Sequence, residues 1–449
     1  MGIALLEMRN GEKLSVQARY GAWRKACVPP LLFITLVFMI VSPLSAHAEE
    51  ETLSLQPLID EALMNNRELL AAESRWKAST YRISQAKSLP DPMVMIGYQN
   101  EGWNQYTYGT MEGSQWMYSL AQMFPFPGKR SLKGEMAARD SDSAEASYQS
   151  VRLRTIATVK ELYFELFLTY KDIDIVRDKT VLFSRIEDAA LARYTTGMAT
   201  QQEVLMAQTE KYMLLEKETM LKQKKESLHA MLNNVVGRQA AIPFGRPAAP
   251  APSVFPYSVD ELITRASENA PEVRVREKMI DASRARVSMA QKEFLPDLTV
   301  AASVFSRTGV YEDMWSLTAT INIPLYFNAK QQAVYEAKSL SSEATSELEA
   351  TKLMLASSIR DNYSMLTMAE KLMGLYKSGL IPKSEQDFEL ALSGYVSGKT
   401  EAITVISRLK AFLDFETLYW RQYVEREKAI ARIESIAGLD DPGSTGTGK

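Results

Sequence analysis

Between Lys129 and Tyr194 the sequence contains no proline, and Gly134 is its only glycine. Apolar or small residues recur there at Tyr148, Val151, Thr155, Val159, Leu162, Leu166, Tyr170, Ile173 and Val176. Those steps of three and four average close to 3.5, the coiled-coil period. About 65 residues of helix make a rod of roughly 100 Å. An ordinary amphipathic helix laid on a compact core is rarely so long. A second such run starts near Lys330 and is interrupted by Gly379 and Pro382, where a kink is expected. Gly197 and Gly398 punctuate the turn from each rod into a further helix. The helices therefore form hairpins longer than a globular domain is wide.

The two rods belong to a wider repetition. Leu89-Pro90-Asp91 recurs as Leu295-Pro296-Asp297, and Asn65-Asn66-Arg67-Glu68 is echoed by Asn269-Ala270-Pro271-Glu272. Tyr194-Thr195-Thr196-Gly197 matches Tyr395-Val396-Ser397-Gly398, and Gly237 matches Gly438. Common order at a near-constant offset reads as a tandem duplication. Residues 243–256, with five prolines, read as an extended linker, and residues 440–449 as a loose polar tail. Within each copy the expected order is helix, two strands, very long helix, helix. The first helix is expected from Leu55 to Ser88, stopped by Pro90.

The strands carry the chemical information. From Trp315 to Ile323 every odd position is apolar and every even one polar, which puts one face in grease and the other in water. Its partner is 298–306, and the first copy offers 93–100 and 116–123, with Gln122 at an outward position. Runs of about nine residues suit tilted transmembrane strands. Trp103, Tyr106, Tyr108, Trp116 and Tyr118, with Tyr311 and Trp315, resemble an interfacial aromatic girdle, although plain packing is the commoner use of such residues. Four strands cannot close a barrel, and open edges are not tolerated in lipid. If these strands lie in a membrane, the protein must be an oligomer.

The N-terminal segment reads as an address. Arg19, Arg24 and Lys25 precede an apolar run from Val28 to Val41 and then Ser45-Ala46-His47-Ala48, the pattern of a secretory signal peptide over 1–48. Its removal takes five basic and two acidic residues, moving the formal charge from -3 to -6. Cys27 lies before the apolar run, so the exported chain carries no cysteine and no lipid on one. Acidic balance, with a pI near 5.8, argues against nucleic acid as a partner. His229 and His47 are the only histidines, and no nucleophile has a base partner, so no catalytic, metal or cofactor site is expected. Among 22 methionines, Met93, Met95, Met117 and Met123 fall on strands; soft thioethers can hold Cu(I), but filling gaps against lipid or helices is the expected role.

The repeat, the Leu-Pro-Asp strand entries, the Tyr-x-x-Gly turns and Phe124-Pro125-Phe126-Pro127-Gly128-Lys129-Arg130 resemble the TolC family of outer membrane efflux proteins. Gly197 to Leu205 and the Pro-Gly-Lys-Arg junction are most similar to its heavy-metal efflux branch. The resemblance covers nearly the whole exported chain, with repeats at 49–242 and 257–439. It implies a mainly α fold: a helical-hairpin barrel plus four transmembrane strands per chain, completed in a homotrimer as a twelve-stranded β-barrel. Pro90, Pro125, Gly128, Pro296 and Pro324 would mark the strand–helix junctions. The implied role is a passive duct through outer membrane lipid, joined by a periplasmic adaptor protein to an inner-membrane efflux transporter, and passing small molecules or metal cations. Residues 103–113 and 307–313 would face outside the cell. Two alternatives share much of the pattern: an exit duct for type I protein secretion, and a soluble periplasmic coiled-coil adaptor. The helical tip, around Tyr194, Gly197, Tyr395 and Gly398, would be gate and adaptor-docking site. In the family, acidic residues after the second turn form charged rings, but Thr404 and Ser407 stand there. Glu203, the repeat-equivalent of Thr404, and Glu401 are the acidic residues near the turns; either a lumen ring or plain solvated tip residues would fit them.

Overall fold

A computed structural model describes residues 52–439; the signal-peptide expectation lies outside them. The described residues form α1 (Leu55–Asn65), α2 (Arg67–Lys87), β1 (Met93–Gln99), β2 (Gln115–Phe124), α3 (Lys129–Thr195) and α4 (Gln201–Val236), then α5 (Val259–Asn269), α6 (Pro271–Lys292), β3 (Asp297–Ser306), β4 (Met314–Asn322), α7 (Phe327–Leu375), α8 (Ile381–Val396) and α9 (Ala402–Ala437). A π-helical turn, Tyr376–Leu380, joins α7 to α8. At 67 residues, α3 is the uninterrupted rod expected, roughly 100 Å long.

The first helix is not continuous. Asn66 takes extended backbone angles, ending α1 and capping α2. Its side-chain oxygen accepts from Leu69 N–H at 2.8 Å, while its amide donates to Val235 O at 2.7 Å. The long-range partner, absent from any local pattern, makes the break stable.

Element order in the first half recurs in the second, and so do contacts. Ser79 meets Ser141 at 3.3 Å, and Ser283 meets Ser341 at 3.1 Å. Gly237 and Gly438 both have positive φ and end α4 and α9 against the carbonyls of Asn65 and Asn269. A Cβ at Gly237 would lie 2.5 Å from the Asn65 oxygen, so glycine is obligatory there. Equivalent positions in the rods are 200 apart at Ser141 and Ser341 but 201 apart at Tyr194 and Tyr395. The π turn, which holds Gly379 and is followed by Pro382, absorbs that one extra residue.

Among the described residues three large apolar clusters are strung along the helices, with a small fourth of Ile173, Val176 and Leu221. Leu58, Val159, Leu166, Leu232 and Val424 centre one, Leu262, Ile359 and Ile433 another, and Phe183, Tyr395, Val405 and Leu409 the one at the hairpin tips. Residues 243–256 form no helix and pass from the first cluster, where Phe244 is buried, to the second, against which Phe255 packs. Leu53 pairs with this segment through Arg246 and Ala248, Tyr163 Oη donates to Ala248 O at 2.9 Å, and Tyr423 Oη donates to Pro250 O at 2.8 Å. Arg426 donates to Ser253 O at 2.9 Å and to Glu427, whose carboxylate accepts from Ser253 Oγ. Burial pushes the Tyr163 and Tyr423 phenols up, so both remain hydrogen-bond donors at neutral pH.

Candidate functional site

The sheet runs β1-β2-β3-β4, antiparallel throughout, so β1 and β4 each keep a free edge. Directly paired residues share a face. One face carries the rows Val94-Leu120-Ala302-Leu317, Ile96-Tyr118-Val304-Trp315 and Phe124-Leu298-Ile321. The other carries Met95-Ser119-Ser303-Ser316, Met93-Ala121-Ala301-Thr318 and Met123-Thr299-Thr320. In the single chain Val94 is 72% exposed, Leu317 68% and Trp315 78%. A continuous apolar wall of this kind is unstable in water and matches lipid. Gln122, a polar residue within the apolar face, donates its amide to Pro90 O at 2.8 Å and so is satisfied.

The aromatics divide. Tyr106, Tyr108 and Trp116 gather round Tyr98, with ring centroids 5.0, 6.3 and 5.1 Å from it. This cluster closes the loop end of the β1–β2 hairpin. Tyr98 escaped the sequence reading because the flanking strand is apolar on both faces. Tyr118 and Trp315 stand in one row of the apolar face, Tyr311 is half-buried, and Trp103 is fully exposed. Beneath the loop Thr107 is buried, bonding Asn100, Glu101 O and Ser114. The four strand methionines first singled out lie on the face opposite the apolar wall. Met117 Cε packs over Gly97 on that face.

At the opposite end of the sheet, the motifs that mark the junctions interlock. Lys129 Nζ, with its side chain 4% exposed, donates to Leu295 O and Asp297 Oδ1, each at 3.0 Å. Asp297 Oδ1 also accepts from Phe126 N–H at 2.7 Å. Pro296 stops α6 and frees the Leu295 carbonyl, while Gly128, at φ 93°, turns the chain from Pro125 and β2 into α3. Pro90 and Pro324 stand just before β1 and just after β4.

At the far ends of the rods, two turns meet. Gly197 and Gly398 both have positive φ, which suits glycine. Tyr194 is exposed, whereas its counterpart Tyr395 is 1% exposed. Arg193 accounts for the difference: its guanidinium lies 4.4 Å over the Tyr395 ring and donates to Tyr395 O at 2.6 Å and Met198 O at 3.3 Å. Glu203 faces Thr200 N–H at 3.5 Å in a capping box and accepts from Tyr395 Oη at 3.4 Å. Burial, with the Glu203 carboxylate beside it, pushes the Tyr395 phenol up and keeps it a donor. Glu401 caps α9 from an exposed position, accepting Thr404 N–H through its carbonyl, and Ser407 bonds back to Thr404 O. The structure thus brings Glu203 and Tyr395 together and leaves Glu401, Thr404 and Ser407 along α9. Arg193 was missed because nothing local to the Tyr-x-x-Gly turn announces a partner 202 residues away.

Buried charge lies along α3. Asp172 is 8% exposed, its Oδ1 has no hydrogen-bond partner, and burial raises its carboxyl. Burial works against the nearby Glu165 carboxylate too, but hydrogen bonds from Lys224 and Lys428 outweigh it and hold that group low. His229 is packed between Tyr170 and Phe244 with neither ring nitrogen bonded, and burial lowers it, a packing role. Among the described residues no helix is long and apolar enough to cross a membrane, and no three His, Cys, Asp or Glu side chains converge on a metal-sized space.

The family described as "Outer membrane efflux protein" matches residues 58–238 and 262–411. The cobalt-zinc-cadmium resistance protein CzcC of Cupriavidus metallidurans is 23% identical over 397 residues, covering 86% of this chain and 90% of the relative. The outer membrane protein VceC of Vibrio cholerae has the same fold at TM-score 0.72 and 17% identity, covering 86% of this chain and 96% of that one. CusC, described through its transmembrane channel formation, matches at TM-score 0.75 and 15% identity, over 85% and 91%.

Proposed function

The chain belongs to the outer membrane efflux protein family, and from that premise we propose that three copies assemble into the exit duct of a tripartite efflux system. Each copy contributes four strands to a twelve-stranded barrel in outer membrane lipid, and the rods of α3, α4, α7, α8 and α9 continue it through the periplasm. The carrying observation is the sheet with two free edges and one apolar face. Trp315 and Tyr118 then sit against lipid, and the Tyr98 cluster near the headgroups. The joined turns at Arg193, Tyr395 and Glu203 form the periplasmic gate and the landing site of an adaptor protein, while an inner-membrane transporter supplies the work.

Metal cations are the first cargo class to test, because CzcC is named for resistance to cobalt, zinc and cadmium. Deleting the gene should sensitise cells to one or more of these cations, with recovery on re-expression. Purified protein in planar bilayers should give ion-conducting pores. A protein that stays monomeric in mild detergent and conducts nothing overturns the duct reading. A tag inserted beside fully exposed Trp103 should be reached by antibody on intact cells. Gly109 is a poorer site, since it has φ 80° and any Cβ there meets Thr308 at 2.3 Å.

A further inference from the structure

All five methionines on the strands occupy one face, and the apolar face has none. Greasy filler would sort the other way. Four of them make a continuous track on the first hairpin. Met93 and Met95 are successive same-face residues of β1, about 6.7 Å apart along the strand. Met93 is opposite Ala121 and therefore diagonal to Met123; Met95 is opposite Ser119 and diagonal to Met117. Such diagonal neighbours lie about 7 Å apart, within reach of long flexible side chains. The intervening residues are small, so the thioethers have room to converge, and Met117 Cε already lies over Gly97, 3.3 Å from where a Cβ would be. Met93 and Met95 are 61% and 51% exposed.

The second hairpin serves as an internal control. The pair Met93–Ala121 is matched there by Thr299–Thr320, and Met95–Ser119 by Ala301–Thr318. The same wall is thus built without sulfur, so neither the strand pairing nor the fold requires these methionines. Met314, the fifth, already accepts from the Arg307 guanidinium at 2.9 Å, which disqualifies it as a cation ligand.

We propose that Met93 and Met95, with Met123 at one end and Met117 at the other, form a run of adjoining two-thioether sites for a soft monovalent cation, Cu(I) or Ag(I), on the water-filled side of the sheet. Neutral sulfur donors suit such ions and discriminate against hard ones. A thioether has no proton to release, so binding is independent of pH where carboxylate, imidazole and thiol sites all titrate. That the track faces a lumen rests on the duct reading; its clustering does not.

The test is calorimetric titration of Ag(I), in chloride-free nitrate buffer, into the detergent-solubilised oligomer purified from the outer membrane, whose freedom from Cys27 is checked by mass spectrometry. The quadruple Met→Leu variant at 93, 95, 117 and 123, close in volume, should bind at least tenfold more weakly, whereas Met314→Leu should bind as the parent does. Both variants are first sized to show that they assemble. Parent affinity should be constant between pH 5 and pH 8. Equal affinity in the quadruple variant, or affinity that falls with acid, overturns the proposal. Binding of an apolar dye that survives the Leu substitutions, without any Ag(I) response in the parent, identifies a greasy cargo wall and overturns it as well. Failure of the duct reading shows separately, as absent bilayer conductance.

Discussion

In the proposed trimer, joining the free edges of neighbouring subunits fixes which residues meet. Shifting β1 by 206 residues onto β3, and β2 by 199 onto β4, converts the observed pair Met93–Ala121 into Thr299–Thr320, itself an observed pair. Applying the same shifts to Ala121–Ala301 of the β2–β3 ladder places Thr320 opposite Met95 of the partner subunit. Leu317 then meets Tyr98 of the partner subunit and Ile321 meets Val94 of the partner subunit, all on the apolar face; a slip of one residue would invert the faces. The energetic demand is large. Edges of seven residues in β1 and nine in β4 expose about sixteen backbone polar groups. At about 2 kcal/mol each in an apolar medium they cost roughly 30 kcal/mol, beyond the 5–15 kcal/mol that stabilises a typical domain. A lone subunit therefore has no folded state in lipid. In the exported chain, which carries no other cysteine, Met95→Cys with Thr320→Cys should oxidise to covalent dimers and trimers on denaturing gels. Met95→Cys with Asn322→Cys is two residues out of register and outside ordinary disulfide span, and should crosslink poorly. Stronger crosslinking by the second pair refutes the register; a stable monomeric barrel refutes the assembly.

Lys129→Met leaves Asp297 without its cation and should cost about 3 kcal/mol, read as a lower dissociation temperature, with partial recovery on adding Asp297→Asn. Arg193→Ala frees Tyr395 and should speed proteolysis within 195–200 severalfold, while Tyr395→Phe, which loses one long hydrogen bond, should change it little. Glu203→Gln should weaken block by a trivalent cation added from the periplasmic side; unchanged block removes Glu203 from the gate. Asp172 has a folded carboxyl raised by burial, so what it contributes to stability is present at low pH and lost as pH rises through that raised value. Asp172→Asn should therefore stabilise by about 1–3 kcal/mol at pH 8, the gain shrinking toward pH 4, in melts monitored by circular dichroism.

What the sequence disclosed was whatever repeats locally. The rod from Lys129, the alternation from Trp315 and the glycine turns are periodic or punctuated signals, and the structure has them within a residue or two. The break at Asn66 was invisible because asparagine sits acceptably inside helices, and only the Val235 carbonyl, 169 residues away, selects the cap. The methionine face was hidden for a different reason. Met93-Val94-Met95-Ile96 is apolar at every position, so period two is erased, and only pairing with Ser119, Ser303 and Ser316 separates the sides. Arg193 belongs to the same class: an ordinary surface arginine in sequence, committed to Tyr395 by tertiary structure.

One inserted residue in a straight α-helix turns everything beyond it by about 100°. Without compensation between α7 and α8, the buried Tyr395 would swing out to solvent and the second tip would present a different side from the first. The π turn at Tyr376–Leu380 takes up that rotation, so both rods arrive at their ends in angular phase despite unequal length. In the proposed trimer the opening would then carry six tips in angular phase, and the proposed adaptor would meet a sixfold rim built by a threefold assembly.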